Sequence, residues 1–215
     1  MAINTGNRER MIGNRGRSIT FCLLIALSVL HSGCGSDSEE EQTAMPEESL
    51  QSGWLEYGSG NYGSAILAFE KVISDGADAS VVADAYNGLG WVYLGFSQNS
   101  GVNKKNLETA LGKFQEAITL DTTNADAWVG LAGLYLARRN SQADFQDALK
   151  AIDNALDGNA KYLYRHDYDS EADPHALKVQ CYYYLGEFDK ARDEIDVVLA
   201  VEKNNGVALA VKRLL

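Results

Sequence analysis

The chain has 215 residues, 46 % of them apolar, and only two prolines, which suits one globular domain or a short array of repeats. Its 19 Lys and Arg against 30 Asp and Glu leave a formal net charge of −11. That balance argues against nucleic acid, whose binders need a concentrated basic face, and fits either a basic partner or plain solubility.

Residues 1–33 differ from the rest. They carry Arg8, Arg10, Arg15 and Arg17 against Glu9, so the remainder is more acidic than the whole. After Arg17 the run 19–30 is almost wholly apolar. A basic start, a short apolar core and small residues after it read as a secretory signal peptide, whereas a membrane-spanning helix needs roughly 20 apolar residues. The end of the core, LHSGC, resembles the lipobox of bacterial lipoproteins. The resemblance implies that Cys34, preceded by Ser32 and Gly33, becomes the lipidated first residue of the mature chain. The chain departs from that pattern at His31, where the family prefers Leu. Ordinary signal cleavage and an uncleaved signal anchor are the other fates open to such a segment. The lipidated and anchored forms share one topology, with everything after residue 34 outside and tethered to a membrane. Residues 34–48, Cys34 followed by GSDSEEEQTAMPEE, are acidic and small and are expected to form a solvated tether. Cys22 belongs to the signal core, so Cys181 has no intrachain disulfide partner in the mature form. It sits among apolar helical residues and reads as a small buried hydrophobe.

From residue 49 the pattern changes to helical stripes. The stretch ALGKFQEAITLDTTNADAWVGLAGLY, 110–135, holds two of them back to back. Ala110, Phe114, Ala117 and Leu120 form one apolar face, and Trp128, Leu131, Ala132 and Tyr135 form the next. Between them DTTN stops one helix and starts another, with Thr123 as the expected N-cap and Asp126 in the first turn. The same grammar recurs along the chain. Second helices carry Ala65/Phe69/Val72, Ala110/Phe114/Ala117, Ala148/Ile152/Ala155 and Ala191/Ile195/Val198. The helices before them carry Gly53, then Leu89-Gly90 with Tyr93, Leu131-Ala132 with Tyr135, and Val179 with Tyr182. The turns GNYGSA and GEFDKA lead into the first and last of these second helices.

This pattern resembles the tetratricopeptide repeat, W-x2-L-G-x2-Y then A-x3-F then P over about 34 residues. The resemblance covers 49–200 and implies an all-α solenoid of about four helix–turn–helix pairs, with 201–215 (its NNGVALAVKRLL) as a C-terminal closing helix. The alanines at 65, 110, 148 and 191 are farther apart than the family period, and its closing Pro is absent from each repeat. The excess falls in LGFSQNSGVNKKN, in ARRNSQADF and in GNAKYLYRHDYDSEAD, where KYLY suggests a short extended segment.

Two motifs compete for a chemical reading. GSGNYG, 58–63, matches G-x-G-x-x-G, but a dinucleotide site needs a strand before it, and here the repeat places a helix–helix turn. RHDYDSEADPH, 165–175, gathers His166, Asp167, Asp169, Glu171, Asp173 and His175, which could hold a divalent ion or be ordinary loop residues. Asp173-Pro174 fits an N-cap followed by Pro at N1. No CxxC, HExxH or GxSxG occurs, and no catalytic residue, metal ligand or cofactor is expected.

The face expected to act is the groove lined in this family by the first helix of each pair. The resemblance carries that role to Trp54, Tyr57, Asn87, Trp91, Leu94, Val129, Leu136, Gln180, Tyr183 and Tyr184. Aromatic side chains there suit a protein or peptide partner. The Lys and Asn set with which some family members clamp a C-terminal carboxylate is absent; Asn87 alone does not form it. The resemblance to TPR lipoproteins implies a non-catalytic protein–protein interaction adaptor in the bacterial cell envelope, tethered through lipid at Cys34. The alternative is a binder of a small apolar ligand or a polymer end in the same aromatic groove.

Overall fold

Phe69 and Phe114 explain why this chain alternates glycines with large rings. In the computed structural model, which describes residues 45–99, 103–158 and 171–215, each ring lies against two glycines from two different helices. The signal segment, Cys34, most of the tether, KYLY and His166 lie outside the described residues. The helices are α1 (Pro46–Gly58), α2 (Tyr62–Ser74), α3 (Ala79–Asn99), α4 (Lys104–Leu120), α5 (Ala125–Arg138), α6 (Gln142–Asp157), α7 (Ala172–Leu185), α8 (Phe188–Val201) and α9 (Gly206–Lys212). The described residues contain no strand.

A Cβ added at Gly53 or Gly88 would come within 2.6 and 2.3 Å of the Phe69 ring. At Gly90 and Gly130 it would come within 2.6 and 2.3 Å of Phe114. Each ring thus fills the space between its own first helix and the next one. Ala65, Val72, Ala110, Ala117, Ala148, Ile152, Ala155, Ala191, Ile195 and Val198 complete the buried stripes of the second helices. One pair cannot cover such a stripe alone, so neighbours stack.

The helices pair as α1–α2, α3–α4, α5–α6 and α7–α8, with α9 closing against α7 and α8. First helices also touch across repeats, α1 to α3, α3 to α5, α5 to α7 and α7 to α9, while second helices have no comparable contact with one another. The first helices therefore form the close-packed inner row, and the second helices fan out behind it.

Turn chemistry separates the outer repeats from the central ones. Gly60 and Gly186 both take φ +78°, which favours glycine. Both turns close with the same two bonds: Gly60 N–H to Tyr57 O and Asn61 N–H to Glu56 O, then Gly186 N–H to Tyr183 O and Glu187 N–H to Tyr182 O. GSGNYG is thus a helix–helix turn. After these turns α2 starts at Tyr62, three residues before Ala65, and α8 starts at Phe188, three before Ala191. In the central repeats α4 starts at Lys104, six before Ala110, and α6 at Gln142, six before Ala148. Each has gained one turn at its N-terminus.

Three expectations about helix starts are corrected. α1 begins inside the expected tether, at Pro46, because Pro suits the first helical position and Glu47 and Glu48 suit the positive end of the dipole. The N-cap of α5 is Asn124, not Thr123; its side chain accepts the Ala127 N–H at 3.0 Å, while Thr123 bonds back to Asp121. α7 begins at Ala172 with Glu171 as N-cap residue, so Asp173 and Pro174 fall within its first turn. α9 places Lys212 in its last turn, beside the carbonyl end of the dipole.

Candidate functional site

All ten groove positions fall on the inner row of first helices, but they divide by exposure. Trp54, Tyr57, Leu136, Gln180, Tyr183 and Tyr184 are half-buried. Asn87, Trp91, Leu94 and Val129 are buried and present no open face. For the first three the reason is the crowding of α3, which has α1, α2, α4 and α5 around it. Trp91 meets the Phe114 ring edge-on at 5.8 Å, as a core residue does. Val129 packs with Ala125 and Ala155.

What buries Asn87 and Trp91 is also what keeps them polar-paired. Trp54 Nε1 on α1 donates to Asp84 Oδ2 on α3 at 3.4 Å. Trp91 Nε1 on α3 donates to Asp126 Oδ2 on α5 at 3.1 Å. Each aspartate thus reaches back to a tryptophan of the preceding repeat. Asn87 Nδ2 sits between them, 2.6 Å from Asp126 Oδ2 and 3.4 Å from Asp84 Oδ1, and Asn87 Oδ1 has no partner. Most buried polar groups are held by bonds of this kind. The sequence reading gave Asp126 only a helix-dipole role and passed over Asp84, although a signal existed. Ala83-Asp84, Ala125-Asp126 and Ala172-Asp173 each stand nine residues before the repeat tyrosine, Tyr93, Tyr135 and Tyr182.

The half-buried aromatics take part in two rows of rings. Near the start, Trp54 meets Tyr57 at 5.8 Å, Tyr57 stacks on Tyr62 at 5.8 Å, and Tyr62 meets Phe96 at 5.1 Å. Toward the end, Phe145 stacks on Tyr184 at 5.0 Å, Tyr184 meets Tyr183 at 5.7 Å, and Tyr183 meets the exposed Phe188 at 6.0 Å. The second row joins α6, α7 and α8 and ends at the surface.

Two ion pairs tie the later helices together. His175 pairs with Glu194, and Lys178 with Asp153 at 3.0 Å. No group of three His, Cys, Asp or Glu that could hold a metal occurs among the described residues. Cys181 is buried, and burial pushes its thiol up to about 12, so it is neutral at ordinary pH. Burial also raises the pKa of Asp144, but the hydrogen bonds from Arg138 and the Asn140 N–H outweigh it and hold the carboxyl below the usual range. That bond with Asp144 in turn raises Arg138. No described helix is long and apolar enough to cross a membrane.

No family model matches the sequence, and no curated protein does. Solved structures do match. TTC0263, a thermophilic TPR protein of Thermus thermophilus, is similar with a TM-score of 0.54 and 20 % identity over 74 % of this chain and 75 % of that one. A MamA protein is similar with a TM-score of 0.54 and 21 % identity over 76 % of each chain. MamA residues 41 to the end from Desulfovibrio magneticus RS-1 is similar with a TM-score of 0.51 and 17 % identity over 75 % of this chain and 78 % of that one. The paired helices, the shared rings and these likenesses agree that the chain has the all-α solenoid fold of tetratricopeptide-repeat proteins.

Proposed function

We propose that the protein is a non-catalytic interaction scaffold of the bacterial cell envelope, tethered to a membrane through lipid at Cys34. The observation that carries the docking role is the inner row of first helices with half-buried aromatics Trp54, Tyr57, Tyr183 and Tyr184 along it. Rigid aromatic side chains give large contact area at low entropic cost and anchor protein or peptide partners. The likeness to a TPR protein supports the same reading. The tether rests on the apolar run 19–30 and the LHSGC that ends near it.

In-cell crosslinking followed by affinity capture from membranes tests the docking role. Wild type should recover a specific envelope protein, and Tyr183→Ala should lose it while the helical signal holds. Equal recovery by both would remove the inner row as the site. Labelling with a palmitate analogue tests the tether; label retained in Cys34→Ser would contradict it.

A further inference from the structure

The two ends of the array present to solvent the faces that inner helices bury. Gly53-Trp54 of α1 and Gly90-Trp91 of α3 are equivalent, since each glycine lies against the phenylalanine of its own second helix. Counted from there, Glu48, Ser52 and Leu55 stand where α3 has Ala85, Leu89 and Val92. Those three are buried in one cluster with Phe69 and Val72 of the preceding α2. No described helix precedes α1 to play that part, so Glu48 and Ser52 are exposed and Leu55 is 69 % exposed.

At the other end α5 and α9 share a register, because each starts on an asparagine cap. Asn124 accepts the Ala127 N–H, and Asn205 accepts the Ala208 N–H. Leu131 and Ala132 of α5 are buried in one cluster with Ala148 and Ile152 of α6. Lys212 and Arg213 hold those positions at the end of α9, and both are exposed. Leu209, one turn earlier, and Leu214, next to Arg213, are exposed with them.

The two faces are opposite in charge. α1 carries Glu47, Glu48 and Glu56 and no cation, whereas α9 carries Lys212 and no carboxylate, with Arg213 directly after it. Lys212 reaches Asp196 only at 4.0 Å. Single exposed leucines are ordinary, and terminal repeats need a polar outer face to stay soluble. Solubility, however, is served by charge of either sign at either end. Opposite signs set beside leucines, at positions where helices otherwise stack, suit one end to the other.

We infer that a second copy of this chain docks end to end, the α9 face of one copy on the α1 face of the next. Lys212 and Arg213 meet Glu47 and Glu48, and Leu209 and Leu214 meet Leu55. The contact is heterologous, so it repeats along a row of copies where a two-fold contact would stop at a dimer. Exposed charge pairs contribute little each, so the contact is weak and salt-sensitive. It uses the ends of the array and stands whether or not the inner row docks a partner.

The test uses the full chain in cells, with a photo-crosslinking side chain in place of Leu209 and two epitope tags, so that only contacts between copies are scored. The adduct should map by mass spectrometry to α1 of the other copy. Glu48→Lys should lower its yield about fivefold, Arg213→Glu likewise, and chains carrying both reversals should recover it. Both positions are exposed, so the helical signal should hold in every variant. Adducts confined to α9, as a two-fold contact gives, no adduct between copies, or no recovery in the double reversal would each overturn the assignment.

Discussion

Phe114 is shared property: one ring lies against Gly90 of its own repeat and Gly130 of the next. A methyl group at residue 130 has nowhere to go unless the ring or the helix moves. Gly130→Ala should therefore cost about 1–3 kcal/mol in urea unfolding, the range for an overpacked core. Gly112, also in a helix but with nothing within 4 Å of its Cβ position, should respond oppositely. Gly112→Ala should stabilise by about 0.5–1 kcal/mol through helix propensity alone. Asp126 holds the Trp91 and Asn87 donors, so Asp126→Ala should cost about 1–3 kcal/mol by leaving them unpaired. Cys181 sets an alkaline limit on stability. Its folded thiol ionises near 12 against an ordinary 9.0, so above pH 9 the unfolded chain releases a proton that the folded one keeps. Stability should fall as pH rises past 9, and Cys181→Ala should make that slope shallower in pH-dependent unfolding.

Among the elements, the junction of α5 and α6 is the most constrained. Asp144 is held below the ordinary carboxylate range, so the folded state takes up its proton less readily than the unfolded state. Its stabilising contribution is complete above the unfolded pKa of about 4 and is lost as pH falls through that value toward the lower folded one. Asp144→Asn should give a flatter acid limb in unfolding measured from pH 7 to pH 2. Arg139 is strained by its left-handed backbone, and Arg139→Gly should gain about 1 kcal/mol. The helix stripes were legible in the sequence because Ala65/Phe69/Val72 and their equivalents keep a helical period over four repeats. Helix starts were less so. Thr123 and Asn124 are both good caps, and the choice falls on Asn124 in the arrangement that also carries Asp126 to Trp91 and Asn87. The single added turn of α4 and α6 looked like loop excess, since KKN and SQAD carry no apolar signal of their own.

At the scale of the whole molecule, the solenoid could be read because repetition multiplies a weak local pattern. The docking face could be read only in outline. Family spacing put all ten candidates on the inner helices, yet it cannot say how deeply α3 is covered by its neighbours, and that depth is what takes Asn87, Trp91 and Leu94 into the interior. Above all, these helices form a row of nearest-neighbour pairs coupled through shared rings. Amide hydrogen exchange on wild type and Phe114→Leu, a change worth about 1 kcal/mol, probes that coupling at its source. Coupling through Phe114 predicts that protection falls together in α3, α4 and α5, on both sides of the ring, and least in α8 and α9. Loss confined to α4, or spread evenly over every helix, would contradict it.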